Sequence, residues 1–213
     1  MIGQNREFRI AVGMYDGVEL GICSTGIGGP STEIALVEAA ELGCKFALRV
    51  GGTGALDPRI QVGSLLIVSE ALRSSGAAAF YAPPDHPAKA HPRMLEALRE
   101  ASEAQGVQAS EVVIASTDSF YAGQGRSFPH SRLATGDDAL LRSYRERGAS
   151  ALDMEGESIL VIGERLQLIA GVLLAVHGNR ATDEWLEDFE EAQDRMIRMG
   201  CQALAKLVRD AGE

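Results

Sequence analysis

The ten residues Leu168–His177 (LIAGVLLAVH) form the most apolar stretch of the chain, and they constrain its fold more than any other feature. The run is too short to span a membrane, which takes about 20 apolar residues. Its length and composition fit a β-strand that is buried on both faces. Strands of that kind occur in largely parallel sheets that are covered by helices on both sides. The stretch therefore predicts an α/β protein.

Strand-like and helical patterns alternate along the rest of the chain, which is typical of an α/β fold. We therefore expect residues 1–213 to form a single domain of three layers, with a central, largely parallel (mixed) sheet flanked by helices. The stretch Ser74–Pro92, rich in Ala, Pro and Gly, is predicted to be a long loop. The predicted strands are Phe8–Val12, Val18–Ser24, Lys45–Val50, Ser64–Glu70, Glu111–Ala115, Ala149–Met154 and Leu168–His177, and the main predicted helices are Ser31–Leu42, Pro92–Gln105, Glu157–Gln167 and Glu190–Asp210.

Net charge and cysteine content indicate which partners are excluded and in which compartment the protein works. The formal net charge of −10 argues against nucleic acid or an anionic membrane as the main partner. The three cysteines, Cys23, Cys44 and Cys201, are widely spaced and match neither a disulfide framework nor a zinc site. We therefore expect a protein of the reducing cytoplasm.

Five polar or glycine-rich segments follow predicted strands. In open α/β sheets, ligands bind beyond the carboxyl ends of the strands. The topology therefore predicts that these segments gather around one ligand site. The segments are GIGGPS (Gly26–Ser31), GGTG (Gly51–Gly54), STDSFYAGQGR (Ser116–Arg126), DMEGES (Asp153–Ser158) and HGNRATDE (His177–Glu184).

The segment Ser116–Arg126 suits a flat ligand with polar edges. The ring of Phe120 can pack on such a ligand. The amide of Gln124 offers a donor and an acceptor side by side, and the guanidinium of Arg126 offers a fork of donors. The alternative is a surface loop with one arginine in a salt bridge.

Five further residues are candidates for ligand contacts. Arg49 lies in an apolar strand, where it needs either a structural ion pair or a bound anion such as phosphate, and Thr53 can add a hydroxyl. A carboxylate of Asp153 or Glu155 can accept hydrogen bonds from the vicinal hydroxyls of a sugar, or it can cap the following helix. Arg180 is either a donor to the ligand or a surface cation.

Five motifs within or around these segments resemble, in order and spacing, those of the nucleoside phosphorylase superfamily, and in particular its uridine phosphorylase branch. They are CSTGIGGPS (Cys23–Ser31), LRVGGTGAL (Leu48–Leu56), DSFYAGQGR (Asp118–Arg126), DMEGES (Asp153–Ser158) and NR (Asn179–Arg180). The most specific motif is FY-x-GQ-x-R, since it separates the pyrimidine branch from the purine enzymes. The resemblance runs from Arg6 to about Arg180 and implies the phosphorylase/hydrolase-like fold.

The resemblance assigns a base side to the site. Gln124 would pair with the O2 and N3–H edge of uracil, and Arg126 would donate to O4. Phe120 would pack on the base, and Arg180 would support it through water.

The resemblance also assigns a sugar and phosphate side. Glu155 would hold the ribose 2′- and 3′-hydroxyls, with Met154 against the sugar. Arg49 would bind phosphate, and Arg6 would reach the phosphate site of a neighbouring subunit. That arrangement implies a homodimer or a trimer of dimers.

The resemblance implies no organic cofactor, with inorganic phosphate as co-substrate. In some family members a monovalent cation, here K⁺, lies at the dimer interface, and the matching positions are Glu7, Ile27 and Ser31. The implied reaction converts uridine and phosphate to uracil and ribose 1-phosphate, the work of a pentosyltransferase.

Two alternatives to phosphorolysis stay open, a hydrolytic nucleosidase and a nucleoside-binding protein without activity. The Gly-Asp-Pro-x-Arg loop that cradles phosphate in the family occurs nowhere in the sequence, which begins beyond the family's N-terminal strand. Gly52 stands where the family has a threonine that contacts phosphate and ribose. The segment Asp183–Asp194 also differs from the family's usual flap.

Overall fold

A computed structural model describes residues 3–127 and 138–212. The described residues form ten strands and six α-helices. The strands are β1 (Gly3–Asn5), β2 (Phe8–Tyr15), β3 (Val18–Ser24), β4 (Phe46–Ala55), β5 (Leu65–Leu72), β6 (Ala88–Lys89), β7 (Ala109–Ser116), β8 (Ala149–Asp153), β9 (Ile169–Asn179) and β10 (Glu184–Trp185). The helices are α1 (Gly29–Glu41), α2 (Gly76–Ala79), α3 (Pro92–Ala104), α4 (Asp138–Glu146), α5 (Gly156–Arg165) and α6 (Glu190–Ala211).

Local sequence signals set the ends of several helices. Pro30 lies in the first turn of α1, where a missing backbone N–H costs nothing. The α3 helix begins with Pro92, and the side chain of His91 accepts a hydrogen bond from the backbone N–H of Arg93. The α6 helix is capped at its C-terminal end by Gly212, whose φ of 74° is a left-handed value that favours glycine. Along the described part of the chain, no helix is long and apolar enough to cross a membrane.

Strand β9 lies at the centre of the main sheet. This seven-stranded mixed sheet has the order β10-β9-β4-β8-β7-β5-β6, and β5 also pairs with β9. The pairs β4–β9, β5–β7 and β7–β8 are parallel, whereas β4–β8 and β5–β9 are antiparallel. The extra pairing therefore closes five strands into a ring, in the order β9-β4-β8-β7-β5, and the predicted mixed α/β architecture is confirmed. Strands β1 to β3 form a separate antiparallel sheet.

Alternate residues of β9 point into two different cores, as the two-residue period of a strand requires. Val172, Leu174 and Val176 pack in one core with residues of α5. Leu173 and Ala175 pack in the other with residues of α3 and α6. All five side chains are 0% exposed, so the strand is buried on both faces as its sequence predicts.

Two predicted loops are wrong. The GGTG segment, Gly51–Gly54, lies inside β4, because its backbone continues the parallel pairing with β9, where Gly51 lies opposite Leu174. The stretch Ser74–Pro92 holds the short helix α2 and the strand β6, since β6 pairs with the end of β5. The short strands β1 and β10 were not predicted, and neither carries a run of apolar residues.

A buried ion pair fixes the chain that follows β5. The Glu157 carboxylate, with a side chain 1% exposed, accepts hydrogen bonds from the backbone N–H groups of Ser74 and Ser75, both at 2.6 Å. Arg73 Nε donates to the same carboxylate at 2.9 Å. The charge of Glu157 is therefore satisfied only while this segment keeps its conformation.

We expect Arg73→Met to lower the free energy of unfolding by about 3 kcal/mol, because it leaves a buried carboxylate without its cation. The matched control is Arg99→Met, which removes a pair between Arg99 and Glu111 whose side chains are 46% and 39% exposed. That change should cost less than about 1 kcal/mol. Urea denaturation measures both, and equal losses would contradict the assignment.

Candidate active site

A cavity of about 350 Å³ lies at the end of β4, β8 and β9. Three of the predicted residues, Arg6, Glu7 and Ser31, do not line it. The other predicted residues are brought together in its wall, although their segments are far apart in the sequence: Ile27, Arg49, Thr53, Phe120, Gln124, Arg126, Met154, Glu155 and Arg180.

Glu155 is held from two sides. Its Oε1 accepts a hydrogen bond from the backbone N–H of Gly28 at 2.6 Å. Its Oε2 forms a salt bridge with Nη2 of Arg49, also at 2.6 Å. Gly28 has a φ of 97°, which suits glycine, and it immediately precedes α1. Glu155 is 5% exposed and its carboxylate is fixed in position, so it can accept ligand hydroxyls without first being ordered.

Asp153 has a structural role. Its Oδ2 accepts from the backbone N–H of Gly156 at 2.7 Å, at the start of α5, and from Arg49 Nε at 3.1 Å. The hydroxyl of Ser116 donates to Oδ1. Of the two carboxylates that the sequence left open, Asp153 therefore caps the helix and positions Arg49, while Glu155 lies at the cavity with Gly28.

Arg49 is in a structural ion network and at the cavity at the same time. It contacts both Asp153 and Glu155, and its guanidinium lies close over Gly51. The structural ion pair expected as one interpretation is therefore present, and the place of Arg49 in the cavity wall is compatible with the other, an anion ligand. The Thr53 hydroxyl donates to the carbonyl of Leu152 at 2.7 Å, so its hydrogen is already committed.

Two arginines define the opposite side of the cavity. Arg126 lies over the ring of Phe120, with Cζ 4.1 Å from the ring centroid, and its Nε is buried without a hydrogen-bond partner among the described residues. Arg180 donates from Nη1 to the carbonyl of Gln124 at 2.8 Å. Burial lowers the pKa of Arg126, with a further contribution from the charge of Arg180. Such a site favours a ligand that brings hydrogen-bond acceptors.

Two aromatic side chains complete this wall, Trp185, which the sequence did not identify, and His177, which it placed only in a segment near the site. Trp185, the single tryptophan, lies 5.7 Å from the guanidinium of Arg126, and it pairs with Gly178 in the β9–β10 ladder. His177 also lines the cavity, and burial lowers its pKa. An isolated tryptophan in a polar segment was a signal for the first. His177 could be placed only near the site, as the end of a buried strand.

The three residues outside the cavity lie near the start of β2 and α1. The hydroxyl of Ser31 contacts the carboxylate of Glu7 at 3.2 Å and the carbonyl of Thr25. Ile27 is 77% exposed. Arg6 is exposed in the turn between β1 and β2. Glu7, Ser31 and Thr25 thus bring oxygen atoms together near the surface of the chain.

A family model described as the phosphorylase superfamily matches residues 2–209. The chain belongs to this superfamily. The resemblance carried by its motifs is therefore confirmed.

Curated relatives that match most of the chain are nucleoside phosphorylases by name. A uridine phosphorylase of Thermococcus kodakarensis is 39% identical over 184 residues, which are 86% of this chain and 66% of that protein. A uridine phosphorylase of Haemophilus influenzae is 37% identical over 205 residues, 93% of this chain and 81% of that protein. A guanosine phosphorylase of Halorubrum lacusprofundi is 29% identical over 216 residues, 97% of this chain and 84% of that protein.

Proposed function

We propose that this superfamily member is a pyrimidine nucleoside phosphorylase that converts uridine and phosphate to uracil and ribose 1-phosphate. The observation that carries the proposal is that one cavity holds both a group suited to a sugar and groups suited to a base. Glu155, held by Gly28 and Arg49, suits the ribose hydroxyls, while Gln124 and Arg126 suit the polar edge of a pyrimidine. The uridine phosphorylases among the relatives support the choice of base.

The reaction would proceed without a covalent protein intermediate. A phosphate oxygen forms a bond to C1′ of the ribose as the bond from C1′ to N1 of uracil breaks, and the bonding electrons leave with the base. Positive charge develops on the sugar and negative charge on uracil. Arg126, facing O4, would stabilise the leaving base, while Glu155 would fix the sugar for attack. Uracil then takes a proton from solvent.

Hydrolysis is the second candidate, because Arg49 already binds two carboxylates and brings fewer free donors to phosphate. Uracil release from uridine distinguishes the two reactions. We expect release to depend strictly on added phosphate and to yield ribose 1-phosphate in equal amount. Equal release without phosphate, with free ribose as product, would replace phosphorolysis by hydrolysis. Absence of any release would favour a binding protein.

We further propose that residues 1–213 act as one domain in a homodimer or a trimer of dimers. Strand β2 presents the apolar side chains of Ile10, Val12 and Met14, which are 40%, 40% and 69% exposed and suit a subunit contact. Arg6 precedes this strand and would reach the neighbouring phosphate site. A molar mass of 22.6 kDa in solution, that of one chain, would contradict the assembly.

A monovalent cation such as K⁺ at the same interface is also proposed. The carboxylate of Glu7, the hydroxyl of Ser31 and the backbone at Ile27 would hold it, since oxygen atoms suit a hard cation. An activity independent of K⁺, compared with a sodium buffer of equal ionic strength, would contradict this site. We place the protein in the cytoplasm because its three cysteines are all unpaired.

A further inference from the structure

His177 occupies space that a side chain at position 52 would need. A Cβ atom added to Gly52 would come within 2.5 Å of Nδ1 and 2.6 Å of Cε1 of the imidazole. The backbone of Gly52 does not have a left-handed φ, so its conformation does not demand glycine. Glycine is needed here because the imidazole lies on it. The pair Gly52–His177 therefore places a ring in the cavity where another residue at position 52 would place its own side chain.

The surroundings of the ring determine which nitrogen donates. Nε2 is buried and has no hydrogen-bond partner among the described residues, and the ring packs against Phe189 with centroids 5.6 Å apart. Burial lowers the pKa of His177, so the imidazole is neutral at pH 7 and carries one N–H. A buried N–H without a partner is rarer in proteins than a buried acceptor without one. We therefore assign the hydrogen to Nδ1, on the edge that faces Gly52.

An anion bound in this part of the cavity could accept hydrogen bonds from a second donor besides Arg49. The guanidinium of Arg49 lies over Gly51, the residue before Gly52, with Nη1 2.9 Å from a Cβ built there. Two of its nitrogens, Nε and Nη2, already contact Asp153 and Glu155. These contacts use two of the five N–H groups of Arg49, so at most three remain for a phosphate, whose oxygens can accept more hydrogen bonds than that.

We propose that His177 binds the phosphate co-substrate, donating a hydrogen bond from Nδ1 to a phosphate oxygen beside Arg49. The inference rests on the proposed phosphorolysis for the identity of the anion. It makes His177 a substrate-contacting residue, and it makes Gly52 the position that admits it.

Calorimetric titration of the intact chain with inorganic phosphate tests this directly. A hydrogen bond to a charged group contributes enough that His177→Ala should weaken phosphate binding about tenfold. His177→Asn should stay within about threefold of the wild type, because its amide nitrogen can take the place of Nδ1. His177→Gln, whose amide lies nearer the position of Nε2, should behave as alanine does. In turnover, the alanine variant should raise the KM for phosphate and leave the KM for uridine unchanged.

Gly52→Ala provides an independent variant, since it keeps the imidazole but displaces it. It should weaken phosphate binding as His177→Ala does, and it should cause no further loss when the two are combined. Equal melting temperatures would show that each variant is folded. Phosphate affinity unchanged in His177→Ala, or a rise in the KM for uridine alone, would overturn the proposal. A wild type that binds phosphate through His177 but releases no uracil would refute the proposed function and leave this contact intact.

Discussion

Replacing Glu155 with alanine is expected to lower kcat/KM for uridine about 1000-fold. The carboxylate would accept hydrogen bonds from two ribose hydroxyls, and each bond to a charged acceptor contributes about 1.5–3 kcal/mol. Its negative charge would also lie close to the sugar, where positive charge would develop. Because Gly28 and Arg49 hold it in place before substrate binds, little of this interaction is lost to ordering side chains.

A comparison of uridine with 2′-deoxyuridine identifies the contact. The wild type should discriminate against the deoxynucleoside, and Glu155→Ala should lose most of that discrimination, because the partner of the 2′-hydroxyl is gone. The control is Glu164→Ala, which removes a side chain 54% exposed on the surface and should leave kcat/KM unchanged. If the alanine variant at 155 kept its preference for uridine, the sugar assignment would be wrong.

Local sequence patterns predicted the central strand and most of the helices, because those elements depend on apolar periodicity and on capping residues. Nine of the ten residues of Leu168–His177 lie in β9 (Ile169–Asn179), and the apolar pattern of α3 produced a helix with nearly its predicted ends. The loop prediction for the GGTG segment was wrong for a physical reason. Glycines favour loops locally, but the parallel pairing of Gly51 with Leu174 comes from a strand more than a hundred residues away in the chain.

The choice between Asp153 and Glu155 could not be made from the sequence, since both carboxylates precede a helix and both suit its positive end. The two carboxylates lie two residues apart in the sequence, and this offset decides which backbone N–H group each of them reaches. Asp153, on the strand, reaches the N–H of Gly156 and caps α5, whereas Glu155 reaches back to Gly28. The Gly52–His177 contact likewise arises from the pairing of β4 with β9, and no local pattern contains it.

Replacing Arg126 with methionine is expected to lower kcat for uridine by about 100- to 1000-fold. The guanidinium lies over Phe120 and near Trp185, and its Nε has no hydrogen-bond partner among the described residues. A donor placed in this way would be available for the uracil O4, where negative charge would grow as the glycosidic bond breaks. Methionine keeps much of the packing on the aromatic rings and removes the charge.

The leaving-group dependence of kcat separates transition-state stabilisation from simple binding. The base of 5-fluorouridine leaves as a more stable anion, so it needs Arg126 less. We therefore expect Arg126→Met to reduce kcat for 5-fluorouridine clearly less than for uridine. Arg142→Met, a change at an exposed position on α4, serves as the control and should alter neither rate. Equal losses for both nucleosides would mean that Arg126 positions the base without stabilising its departure. Another group would then have to stabilise the negative charge on the leaving uracil. Arg180, on the same wall of the cavity, is the cation available for that role.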